Sequence, residues 1–128
     1  MIPYHDENQT LRPAYVTIAL VGACVATWVL VQGSGAEEPL AASVCNYGLI
    51  PGELTQSLQP GTGFRMTREL ACVVDAGPQY LNALTSMFMH GGWMHLIGNM
   101  WFLWLFGNNV EDAMTRPRFV AFYLLCGL

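Results

Sequence analysis

The feature that most constrains this chain is an uninterrupted apolar stretch near its N-terminus. Residues 13–36 carry no charged side chain, and residues 14–31 are almost wholly apolar. At about 1.5 Å of rise per residue, a helix of that length nearly crosses a hydrocarbon layer of ~30 Å. Further apolar segments lie at 84–106 and 119–128, and charged residues make up only 11% of the chain. A soluble domain has roughly a quarter, so the pattern predicts an all-α membrane protein.

The apolar segments also divide the chain into parts. We expect a polar N-terminal tail at 1–12 and a membrane domain at 13–128. Within that domain we expect a first helix at 13–31, a long loop at 32–79, a second helix region at 84–106 and the start of a third helix at 119–128. Inside the loop, short helices are expected from Pro51 and over 64–74. Gly107-Asn108-Asn109 is typical of a helix end, and Pro117 predicts a break before the third helix.

The short third segment and the first segment each admit an alternative. About 20 apolar residues are needed to span a bilayer, and unpaired backbone groups are costly in lipid. We therefore expect a fragment of a longer protein, the alternative being a short helix that ends at the membrane surface. The first segment is longer than the ~7–15 apolar residues of a signal peptide, and its flank mixes Arg12 with Asp6 and Glu7. A retained helix is the better interpretation.

Arginine positions indicate the orientation of these segments. Arg12 lies in the tail, and Arg116 and Arg118 lie in the short polar turn after the second helix, whereas Arg65 and Arg68 stand among the acids of the long loop. Because positive charge favours the cytoplasmic side, we expect the N-terminus inside and the long loop outside. The arginines form no basic stripe, so nucleic acid is not an expected partner.

The four cysteines fall into two groups. Cys24 and Cys126 lie in apolar segments, where cysteine is usually a small packing residue. Cys45 and Cys72 both lie in the loop expected to face outward. On an oxidising side of the membrane they can form a disulfide, and otherwise they are free thiols. No Cys or His spacing predicts a zinc site, and neither a metal nor another cofactor is expected.

Three polar residues in the second apolar segment require a reason, because polar side chains inside a membrane are costly. They are His90, His95 and Asn99. His95 and Asn99 are four residues apart and share a helical face, whereas His90 precedes the Gly91-Gly92 pair and need not share it. A purely structural role is the alternative for each. Two hydrogen-bond donors in a water-excluded cleft could instead stabilise an oxyanion. A metal site would lack a third good ligand.

The same segment resembles a known protein family. His90-Gly-Gly-Trp-Met-His95-Leu-Ile-Gly-Asn99 is similar to the His-x4-His-x3-Asn signature of the second helix of rhomboid proteases. Other stretches also resemble rhomboids, including bacterial ones: Ile2-Pro3-Tyr4-His5-Asp6-Glu7-Asn8, Tyr47-Gly48-Leu49-Ile50-Pro51, Glu53-Leu54-Thr55 and Phe106-Gly107-Asn108-Asn109-Val110-Glu111-Asp112. The resemblance covers nearly the whole chain, as the N-terminal half of the family's domain.

The resemblance implies both a fold and a function. It implies the first two transmembrane helices and part of the third of a six-helix bundle, in the bacterial cell membrane. The family cleaves transmembrane substrates with a Ser–His dyad from the fourth and sixth helices. The resemblance also implies that His95 and Asn99 stabilise the oxyanion and that His90 supports them. Gly33-Ser34-Gly35 lacks the family's Gly-x-Ser-Gly context and is interpreted as a linker. No histidine follows Asn99, so the nucleophile and the general base are absent from this chain.

Two functions of different classes follow. The first is a fragment of an intramembrane serine endopeptidase, inactive by itself, whose partners are the lipid bilayer and transmembrane proteins. The second is a non-catalytic relative that binds transmembrane segments without cutting them. A metal-binding membrane protein is a third and weaker hypothesis, since it requires a metal bound at His95.

Overall fold

The computed structural model describes residues 11–65 and 71–128, and it is mostly helical. The helices are α1 at Tyr15–Ala26, α2 at Glu37–Tyr47, α3 at Pro51–Leu54, α4 at Tyr80–Ser86, α5 at Trp93–Met114 and α6 at Arg116–Gly127. Two short strands are β1 at Gly63–Arg65 and β2 at Ala71–Val73. A π-helical turn at Thr27–Val31 continues α1, and a 3-10 turn follows at Gly33–Gly35. In the described part of the chain, no helix combines the length and the apolar character that crossing a bilayer requires.

The region predicted as a long loop contains regular structure. The short helix expected from Pro51 is confirmed as α3, with proline in its first turn. The helix expected over 64–74 is wrong, because Phe64 pairs with Cys72 in an antiparallel two-stranded sheet. Residues 66–70 lie outside the described part. Helix α2 was not foreseen, although Glu37 and Glu38 occupy its first turn, where acidic side chains favour the helix dipole.

Helices α1 and α5 form the centre of the fold and run antiparallel. Cys24 and Trp28 of α1 pack with Leu96 of α5 in a buried cluster. Nearer the other end of α5, Gly107 approaches α1 so closely that an added Cβ would lie 3.0 Å from the Cγ2 atom of Thr17. The absence of a side chain at Gly107 therefore sets how closely the two helices approach.

The second helix does not end at Gly107-Asn108-Asn109, and that prediction is wrong. Helix α5 continues to Met114, and the break falls at Thr115, where φ is 71°. The last turns are held by Glu111, whose carboxylate accepts hydrogen bonds from the backbone N–H groups of Val16 (3.1 Å) and Thr17 (2.8 Å) and from the Thr17 hydroxyl (2.9 Å). These bonds satisfy free N–H groups at the start of α1. The N-cap residue of α1, Ala14, has no side-chain acceptor that could do so.

The third helix also begins earlier than predicted. Helix α6 starts at Arg116, and Pro117 lies in its first turn, where a proline lacking the N–H group is tolerated. Arg116 lies 3.7 Å from the Glu111 carboxylate, and its guanidinium stacks 4.8 Å above the Tyr15 ring. The start of α6 is thus tied to the same corner of the fold as the start of α1.

Candidate active site

The polar residues singled out in the sequence lie around the start of α5. His95 and Asn99 are in its first two turns, and both are exposed. A spacing of four residues places them on one side of the helix. Leu96, by contrast, is buried and packs against α1. The described fold therefore leaves the His95 and Asn99 side of α5 open.

His90 differs from the other two because it is buried, with only 3% of its surface exposed. It lies before Gly91 and Gly92, ahead of the first turn of α5. Its ring centroid is 5.3 Å from that of His95, and the two rings meet edge to face at 62°. The structure thus brings the two histidines together, although five residues separate them, and it leaves Asn99 one turn further along the helix.

The His95 ring is oriented by a local hydrogen bond. The backbone N–H of Gly91 donates to Nδ1 of His95 at 3.3 Å. A neutral imidazole whose Nδ1 accepts a hydrogen bond carries its proton on Nε2. The second nitrogen of the exposed His95 ring is therefore a hydrogen-bond donor, which is the chemistry that an oxyanion site needs.

The residue that sequence reasoning missed is Gln32, at the end of the first helical segment. Its side chain is fully buried. The Gln32 Nε2 atom donates to the carbonyl oxygen of His90 at 2.8 Å, and the backbone N–H of His90 donates to Gln32 Oε1 at 2.9 Å. A polar side chain closing a long apolar run was the available signal, but Gln32 was interpreted as the first residue of the loop.

Aromatic side chains pack against the 3-10 turn at Gly33–Gly35. Trp28 and Trp93 meet edge to face with centroids 5.4 Å apart. The 3-10 turn lies directly on them, since a Cβ at Gly35 would come within 2.9 Å of the Trp28 ring. Ser34, interpreted in the sequence as part of a linker, belongs to this same turn and has a φ of 57°.

The segment before the site is fastened to α4. Cys45 of α2 and Cys72 of β2 form a disulfide, with Cα atoms 5.3 Å apart, so the structure has the paired alternative rather than two free thiols. The Thr85 hydroxyl donates to the carbonyl of Tyr47 at 2.6 Å, and Glu53 accepts the backbone N–H of Asp75 at 2.9 Å. These contacts link α2 to β2 and to α4, and they link α3 to Asp75 just after β2.

The residue types present do not assemble a metal centre within the described ranges. No group of three or more His, Cys, Asp or Glu side chains comes together there in a way that could hold a metal ion. Among the described residues, no third ligand of those types joins the His90 and His95 pair, and Nδ1 of His95 already accepts the Gly91 N–H group.

Comparison with known protein families identifies part of the chain. The family model of the Rhomboid domain matches residues 77–128, a range that contains His90, His95 and Asn99. Comparisons with curated proteins and with solved structures gave no significant match. The matched range begins just before α4 and includes all of α5 and α6.

Proposed function

We propose that the chain belongs to the rhomboid family, whose domain model matches residues 77–128, and that it is the oxyanion-stabilising part of an intramembrane serine endopeptidase that cleaves transmembrane segments. His95 and Asn99 are the proposed oxyanion donors, and His90 supports them. One observation carries the proposal above the others. His95 and Asn99 lie exposed on the same side of α5, and the bond from Gly91 leaves the Nε2–H group of His95 free to donate.

The proposed reaction is acyl transfer. A serine hydroxyl attacks the carbonyl carbon of the scissile peptide, a histidine base removes the hydroxyl proton, and the carbonyl electron pair moves onto the oxygen. The His95 Nε2–H and the Asn99 amide N–H groups would donate to that oxygen as its negative charge develops. The proton then passes to the leaving nitrogen as the tetrahedral intermediate collapses. Donors held in place before the reaction need no reorganisation, and each contributes a few kcal/mol.

The catalytic serine and base of this reaction are not proposed from residues of the present sequence. Ser34 belongs to the turn packed on Trp28 and Trp93, and His90 and His95 are assigned other roles. The 128-residue chain alone is therefore expected to show no protease activity. Labelling of this chain by a serine-reactive fluorophosphonate would contradict that expectation.

The proposed setting is the bilayer of a bacterial cell membrane, with the N-terminus in the cytoplasm. Large apolar side chains are exposed on α5, among them Met94 at 82% and Phe102 at 60%. Exposed apolar surface of this kind indicates contact with lipid or with further protein. The proposed substrates are transmembrane segments, which would approach the open side of α5.

The test uses the full-length gene product and a transmembrane substrate. We expect His95→Ala and Asn99→Ala each to lower kcat by roughly 10-fold or more. Asn46→Ala is the matched control for Asn99→Ala, because Asn46 is an exposed asparagine on α2. Unchanged cleavage by both site variants would refute the oxyanion role.

The non-catalytic alternative is separated from the protease by one further observation. The DNA that follows the codon for Leu128 either encodes a Gly-x-Ser-Gly motif and a later histidine or it does not. An open reading frame with both supports the protease. A stop codon, together with capture of a transmembrane peptide by the chain without cleavage, supports a binding protein.

A further inference from the structure

The buried side chain of Gln32 is a polar group that the proposed reaction does not use. It projects from the end of the first helical segment and reaches a residue 58 positions away. Its side-chain amide makes two hydrogen bonds to the backbone of the site, both to His90. Resting on the proposed function, we propose that Gln32 is a positioning residue, which orients His95 for oxyanion stabilisation through the peptide that joins His90 to Gly91.

The first step of the argument is the geometry of a single peptide unit. The carbonyl of His90 and the N–H of Gly91 belong to the same planar, trans peptide, so they point in opposite directions. Gln32 donates to the carbonyl at 2.8 Å, and the N–H donates to Nδ1 of His95 at 3.3 Å. Fixing one end of the peptide plane therefore fixes the direction of the N–H group at the other end.

The second step concerns the strength of that N–H group as a donor. A hydrogen bond received at a carbonyl polarises the peptide and makes its N–H a better donor, by about 10–30% per bond in condensed phase. Gln32 thus favours the His95 tautomer that has its proton on Nε2. It acts on His95 without touching the ring.

The third step is why the residue is a glutamine. The two backbone groups of His90 require one donor and one acceptor, and an amide side chain supplies both. Full burial of Gln32 means that water does not replace either bond when the side chain is changed. Methionine has a similar length and volume but forms neither bond, which makes Gln32→Met the informative variant.

A structural role alone would also explain two buried hydrogen bonds, so the test must isolate the path through His95. The full-length enzyme is assayed as wild type and as the single variants Gln32→Met, His95→Ala and Asn99→Ala. Gln32→Met is also combined with His95→Ala and, separately, with Asn99→Ala. The thermal midpoint is measured for each variant, and kcat and KM are measured where the protein is folded. Gln59→Met, at an exposed glutamine, is the control.

We expect Gln32→Met to lower kcat about 10-fold, a loss comparable with that of one oxyanion donor, while KM changes less than about twofold. In the His95→Ala background the same substitution is expected to cost little more. In the Asn99→Ala background Gln32→Met is expected to lower kcat by the same factor of about 10, because Asn99 is not reached through the Gly91 peptide. A further readout is the ¹⁵N chemical shift of the His95 ring, which reports the tautomer and is expected to move toward a mixture in Gln32→Met.

The outcomes separate this inference from the proposed function. If His95→Ala leaves kcat unchanged, the proposed function fails. If His95→Ala lowers kcat but Gln32→Met costs the same factor with and without His95, the positioning role fails and the oxyanion role stands. If Gln32→Met does not fold, Gln32→Asn takes its place in the same cycle, because the amide stays neutral but is one methylene shorter, which withdraws its donor and acceptor from the His90 backbone.

Discussion

The contact between Glu111 and the start of α1 allows a quantitative prediction. The Glu111 carboxylate is 3% exposed and accepts three hydrogen bonds, two from backbone N–H groups of Val16 and Thr17 and one from the Thr17 hydroxyl. Replacing Glu111 by alanine removes the acceptor and leaves those donors at the first turn of a helix, where no intrahelical carbonyl is available.

The magnitude follows from the burial of each donor. Hydrogen bonds to a charged group contribute about 1.5–3 kcal/mol each, and a donor left buried costs about 1–3 kcal/mol. Water can reach the half-buried Val16 more easily than the buried Thr17, so the sum is reduced to about 3–5 kcal/mol. The ion pair with Arg116 adds little, because that side chain is 49% exposed.

The assay is the free energy of unfolding of the full chain in detergent micelles, measured by titration with a denaturing detergent. Glu111→Ala is expected to lose about 3–5 kcal/mol, and Thr17→Val, which removes only the hydroxyl bond, about 1–2 kcal/mol. Glu38→Ala is the control, since Glu38 is exposed on α2, and it is expected to lose under about 1 kcal/mol. A loss for Glu111→Ala no larger than that of the control would refute the reasoning.

Two further predictions concern the packing of the helices and the covalent link in the loop. Gly107→Ala should lower the thermal midpoint, because the new Cβ would lie 3.0 Å from a threonine that Glu111 holds in place. Gly98→Ala, on the same helix with nothing within 4 Å, should raise the stability by about 0.5–1 kcal/mol; equal shifts would contradict the packing argument. Cys45→Ser should cost about 3–4 kcal/mol, because the disulfide closes a loop of 27 residues. Cys126→Ser, at an exposed free thiol, is the control, and a Cys45→Ser loss equal to it would show that the link does not stabilise the fold.

Several features of this protein were determined by local sequence. The apolar run at 14–31 predicted the first helical segment, because a stretch of that composition contains no residue that stops a helix before Gln32. Pro51 predicted α3 because proline favours the first turn of a helix. The spacing of His95 and Asn99 predicted a shared side of α5 for the same kind of reason, since helical periodicity depends only on residues a few positions apart.

Other features depended on which groups meet after the helices pack. Gly107-Asn108-Asn109 has the composition of a helix end, yet α5 continues because Glu111 bonds to the start of α1, some 95 residues earlier in the chain. Local propensity is weak beside three hydrogen bonds to a buried carboxylate. The extended pairing of Phe64 with Cys72 likewise required a partner strand that propensity does not identify.

The candidate site shows the same division. His90, His95 and Asn99 were found from the sequence because polar residues in an apolar segment are conspicuous, and the family match at 77–128 covers them. Gln32 was not found, because its importance lies in two hydrogen bonds to a backbone 58 residues away. The sequence alone determined which side chains carry the proposed chemistry. Only the tertiary structure decided which groups contact His90 and His95, because a hydrogen bond depends on distance and direction rather than on position in the chain.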